Sequence, residues 1–77
     1  MKLKNTKTNR GFAVVEFIDR YGVPSSIQKS SLATEDAIWF GIDGPDNICT
    51  RMSLTREQVK ALLPVLKHFV KTGELPE

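Results

Sequence analysis

The chain has 77 residues, a formal net charge of +2, one cysteine and one histidine. That length makes one domain with a modest core, which usually needs help from a disulfide, a metal or a second chain. Cys49 has no partner for an internal disulfide, and with His68 alone beside it a Cys/His zinc site within one chain is disfavoured. Oligomerisation is what remains, and a homodimer is expected. No window reaches the apolar length of a transmembrane span, and the basic start MKLKNTKTNR is not followed by the apolar core of a signal peptide. The composition therefore suggests a cytoplasmic protein with no membrane partner, too weakly charged to argue for nucleic acid.

Residues 1–10 hold Lys2, Lys4, Lys7 and Arg10 and no acid. They read as a flexible basic tail, or as an arm that closes over an anionic partner, ahead of a single domain over 11–77. Gly11–Asp19 is the first expected strand. Phe12, Val14 and Ile18 share one face with Glu16, and Ala13, Val15 and Phe17 share the other. Arg20–Pro24 is a turn in which Gly22 supplies positive φ. The next segment, Ser25–Leu32, is polar for a strand, with four serines and Gln28, and is expected at an exposed edge. Ala37–Asp43 is the third strand, with Ile38, Phe40 and Ile42 on one face and Trp39 on the other. Gly41 within it suggests a bulge or a close backbone approach. Residues 43–47 form a loop, and Ile48–Leu54 is the fourth strand. There Ile48, Thr50, Met52 and Leu54 face one way, and Cys49, Arg51 and Ser53 the other.

Leu54–Gly73 carries the strongest helix pattern. Thr55 and Gln58 have the spacing of a capping box, and Leu54 and Val59 that of a hydrophobic staple. Val59, Leu62, Leu63, Leu66, Phe69 and Val70 recur at amphipathic spacing, and Gly73 sits where a helix stops. Pro64 should bend the helix. Arg56, Lys60, Lys67 and Lys71 form a basic stripe beside the apolar one, a solvated face or a surface for an acidic partner. The expected fold is α+β, a small antiparallel sheet of about four strands with one C-terminal amphipathic helix packed on one face.

No glycine-rich phosphate loop, no Ser-His-Asp constellation and no metal-loop pattern is present, so a binding protein is favoured over an enzyme, with no cofactor and no metal. If the helix covers the Met52 and Leu54 face, Arg51 and Ser53 point away from it. Trp39, Gln28 and Ser30 reach the same side if the register allows. A tryptophan, an arginine and several hydroxyls suit a stacked, phosphate-bearing ligand, and they suit a dimer interface equally.

The stretches SSLATEDAIWFGID and RMSLTREQVKALLPVLKHFVKTG resemble a group of small phage and prophage proteins. Their shared pattern is SIQxSSLAxExxIWxG followed by RMxLTxEQVxxLLPxLxxF, and the resemblance runs from about Glu16 onward. It implies a phage accessory protein of the anti-CRISPR or anti-immune-signalling type, countering host defence by binding. The leading expectation is sequestration of an anionic nucleotide-like signal through Arg51, Ser53, Trp39, Gln28 and Ser30. The alternatives are docking on a host defence protein through Arg56, Lys60, Lys67 and Lys71 or the exposed sheet, and nucleic-acid binding.

Overall fold

A computed structural model of the chain describes residues 1–31, 34–43 and 50–77. The elements are β1 (Lys4–Lys7), β2 (Ala13–Ile18), β3 (Pro24–Lys29), β4 (Ala37–Ile42), β5 (Thr50–Thr55) and α1 (Arg56–Thr72). The five strands form one antiparallel sheet in the order β1-β2-β3-β4-β5, and α1 continues directly from β5. The α+β class stands, with one strand more than the sequence suggested. Ile48, Cys49 and the expected loop from Gly44 to Asn47 lie outside the described residues, as does Leu32.

The additional strand comes from the basic N-terminal segment, which is not a tail. Lys4 to Lys7 pair with Glu16 to Ala13. The turn that brings them back is a three-residue loop, Asn9-Arg10-Gly11, closed by Thr8 N donating to Phe12 O at 2.8 Å. The next hairpin is built in the same way: Arg20-Tyr21-Gly22 is closed by Asp19 N on Val23 O at 3.0 Å. Each loop ends on a glycine in the left-handed region, Gly11 at φ 86° and Gly22 at φ 81°. That is the type I turn with a following αL residue favoured in three-residue hairpins. The Asp19 carboxylate secures the second loop by accepting from Tyr21 N at 2.7 Å and Val23 N at 2.9 Å.

The serine-rich strand is not at the expected edge: β3 pairs with β2 on one side and β4 on the other, and in the five-stranded order it is the central strand. Its serines are among the most buried residues, Ser26 at 2% exposure with Ser25 and Ser30 beside it. Ser25 pairs with the larger Phe17 and Ile42, and the hydroxyls of Ser25 and Ser26 both find partners. Ser25 Oγ donates to Val23 O at 3.2 Å and Ser26 Oγ to Asp43 Oδ1 at 2.8 Å. These bonds make the burial tolerable.

The register gives the sheet two unlike faces. Val15, Phe17, Ile27, Ile38, Phe40, Ile42, Met52 and Leu54 share one, the apolar face. Phe17 and Phe40 meet there edge-to-face, ring centroids 6.4 Å apart, across the short side chain of Ser25. The other face carries Val14, Glu16, Ser26, Gln28, Trp39, Arg51 and Ser53. The two buried apolar residues among those described, Val14 and Ala37, both belong to this more polar face.

The helix has its expected ends. Gln58 N donates to Thr55 Oγ1 at 3.1 Å, Thr55 N donates to Gln58 Oε1 at 2.9 Å, and Gly73 N closes on Phe69 O at 2.8 Å. It runs unbroken through Pro64. It does not pack across the sheet as expected: none of its residues is buried, and it meets the sheet chiefly at β5, the strand it grows from. The reason is local. Thr55 is both the last residue of β5 and the N-cap of α1, so no intervening residues turn the helix back over the strands.

Candidate functional site

Four of the five residues singled out for ligand binding stand together on the polar face. Trp39 on β4 lies between Gln28 on β3 and Ser53 on β5, in register with both. Arg51 is two residues along β5 from Ser53 and shares its face. The fifth, Ser30, is 4% exposed, with its backbone N donating to Ala37 O at 2.9 Å. A side chain so enclosed does not meet a ligand arriving on the open face, so the fold withdraws Ser30 from the candidate set.

Arg51 is engaged within the fold. Its Nη1 donates to Gln28 Oε1 at 3.1 Å and lies 3.7 Å from Asp43 Oδ1. Asp43 in turn accepts from Ser26 at 2.8 Å. The guanidinium is therefore one member of a polar chain, Gln28–Arg51–Asp43–Ser26, with its charge already offset by a carboxylate. That chain crosses β4 at Gly41, the residue paired with both Ser26 and Arg51. Gly41 is not a bulge, since the register runs unbroken through it. With no side chain there, Arg51 on β5 reaches over β4 to groups on β3, and φ 154° keeps the position unfavourable for other residues. Of the two sequence expectations for Gly41, close approach is the one realised.

Arg10, expected in a tail, lines one cavity with Trp39, as does Lys29, whose Nζ lies 3.3 Å from Asp36 Oδ1. The β1–β2 hairpin carries Asn9 and Arg10 to the end of the sheet, where they line an open cavity of about 340 Å³ with Phe12, Gln28 and Trp39. Two aromatic side chains, two carboxamides and one exposed guanidinium thus line one concavity. This grouping can stack a planar ring, hydrogen-bond its edge and neutralise an attached anion. Arg51 and Ser53 lie on the same face outside that cavity. The signal for Arg10 was present in the sequence: Asn-Arg-Gly between two segments of alternating character is a hairpin loop. The run of lysines obscured it.

The basic residues of α1, Arg56, Lys60, Lys67 and Lys71, are all exposed. Arg56 Nη1 lies 3.6 Å from Asp36 Oδ2, an exposed pair worth little in water. Among the described residues no three His, Cys, Asp or Glu side chains are grouped to hold a metal ion, and no helix is long and apolar enough to cross a membrane. Comparison with protein-family models, with curated proteins and with solved structures yields no match.

Proposed function

We propose that this chain is a non-catalytic binding protein that seats a small nucleotide-like anion on the polar face of its sheet. The reading takes the protein as a homodimer in the host cytoplasm. The observation that carries it is the cavity lined by Phe12 and Trp39 together with Gln28 and the exposed Arg10. Its volume suits a base or a ribosyl group rather than a large oligonucleotide. The Gln28–Arg51–Asp43–Ser26 chain holds one wall of the site in place, and Arg10 supplies the charge for a phosphate. The resemblance of the SSLATEDAIWFGID and RMSLTREQVKALLPVLKHF stretches to small phage proteins adds the biological setting, sequestration of a signal used in host defence.

Trp39 is the single tryptophan of the chain, so binding in this cavity reports itself in intrinsic fluorescence. Titration of the folded protein with a panel of cyclic and linear nucleotides, followed by fluorescence and calorimetry, is the test. A saturable change with one class is expected, with the calorimetric heat lost in Trp39→Ala and the affinity weakened in Arg10→Ala. No heat with any nucleotide, in a protein that is folded by circular dichroism, overturns the ligand reading.

The exposed basic stripe of α1 supports a second reading, docking on an acidic surface of a host defence protein through Arg56, Lys60, Lys67 and Lys71. Charge reversal at Lys60 and Lys67 then abolishes partner capture, whereas the nucleotide titration is unaffected. Binding to a nucleic acid instead would show as a steep salt dependence with little preference among nucleotides.

A further inference from the structure

A sheet that is apolar on one face and a helix that is apolar along one stripe each need cover. Among the described residues neither is fully covered. Ile42 and Met52 on the apolar face are 41% and 55% exposed, and Leu66 and Phe69 on the helix stripe are 54% and 53% exposed. The excess is visible in the whole molecule. Its accessible surface is 6698 Å², where a folded monomer of this mass exposes about 4,700 Å². Its radius of gyration is 13.8 Å, against about 11.5 Å for a compact chain of this length.

We infer that a second copy of the chain covers both surfaces at once, α1 of each protomer lying across the apolar sheet face of the other. The inference deepens the homodimer part of the reading above by assigning its interface. One chain carries both complementary surfaces, so a two-fold axis satisfies each with the other and closes the assembly. The helix cannot do this for its own sheet, because it leaves β5 at Thr55 with no connecting residues. Its length fits: 17 residues span about 25 Å, and five strands about 4.8 Å apart are some 19 Å across. The place of entry is open as well. Ile38 and Leu54 of the apolar face and Val59 and Leu63 of α1 line one groove of about 480 Å³, with Asp36 and Arg56 among its lining residues. The excess surface of roughly 2,000 Å² per chain matches obligate homodimers, whose interfaces bury about 2,000–5,000 Å² in total. In this assembly the polar faces point outward and the Trp39 cavity of each protomer stays open.

The test uses the full chain with a photoreactive benzophenone side chain in place of Leu66. Isotopically labelled and unlabelled protein are mixed, irradiated and mapped by mass spectrometry. Sedimentation and thermal unfolding of the unmodified protein are followed over a wide concentration range. The expected results are twice the chain mass, an unfolding midpoint that rises with concentration, and cross-links from Leu66 to β2, β3 or β4 of the other copy. A single-chain mass at every concentration overturns the inference. So do cross-links confined to one chain, or a dimer cross-linked only helix to helix. A dimer with this interface and no heat from nucleotides sinks only the ligand reading, and a nucleotide-binding monomer sinks this inference and the homodimer part of that reading while the ligand part stands.

Discussion

Removing the Asp43 carboxylate is the most informative single perturbation of the polar face. In Asp43→Ala the Ser26 hydroxyl, 2% exposed, loses its acceptor at 2.8 Å and stays buried. A buried donor left without a partner costs about 1–3 kcal/mol. The lost Arg51 contact at 3.7 Å joins two side chains that are each about one-third exposed. Solvent screens that pair, so it adds less than about 1 kcal/mol. The expected loss is near 2 kcal/mol, a fall of roughly 8–16 °C in Tm for a domain of this size. Urea unfolding at one fixed protein concentration measures it, with Ser26→Ala and the double variant completing a cycle. Once Ser26 is alanine, no hydroxyl is stranded, so Asp43→Ala should then cost about 1 kcal/mol or less. If Asp43→Ala costs under about 0.5 kcal/mol, or as much in the Ser26→Ala background as alone, the buried hydroxyl is not what the carboxylate serves, and the reasoning fails.

Thr55→Ala removes the hydroxyl that accepts from Gln58 N and should cost about 1 kcal/mol, with Thr55→Ser close to wild type in the same urea assay. Gly22→Ala meets no atom within 4 Å of its new Cβ but must hold φ 81°. It should cost about 1–2 kcal/mol, Gly22→Asn less, and equal costs would show that the loop relaxes out of αL. Trp39→Ala should lose nucleotide binding while keeping the wild-type far-ultraviolet spectrum, and retained affinity would move the ligand elsewhere. Lys60→Glu with Lys67→Glu should leave stability within about 0.5 kcal/mol, since both side chains are exposed, and a larger loss would place the stripe in the fold.

Local chemistry was legible where neighbouring residues decide the outcome. The capping box of α1, its glycine stop and the Gly22 turn depend on groups within four residues of one another, and the structure has each of them. Strand alternation was legible for the same reason, and it correctly opposed Met52 and Leu54 to Arg51 and Ser53. Residues 4–7 were misread because their lysines suggested solvent, yet an edge strand tolerates lysines that project away from its neighbour. The serine strand was placed at an edge for a separate reason, its polar composition, whereas it pairs with β2 on one side and β4 on the other.

By itself the sequence determined the helix, the strands that follow the N-terminal segment, the two faces of the sheet and the two stripes of the helix, since these follow from period, capping and turn residues along the chain. Tertiary structure alone decided which strand is central, that Ser30 is enclosed, that Arg51 is held by Asp43 across Gly41, and that Arg10 lines one cavity with Trp39. Each depends on groups far apart in sequence, set by a pairing register that no local pattern encodes. It also decided that α1 does not pack across the sheet: a helix capped by the last residue of a strand has no length of chain with which to turn back.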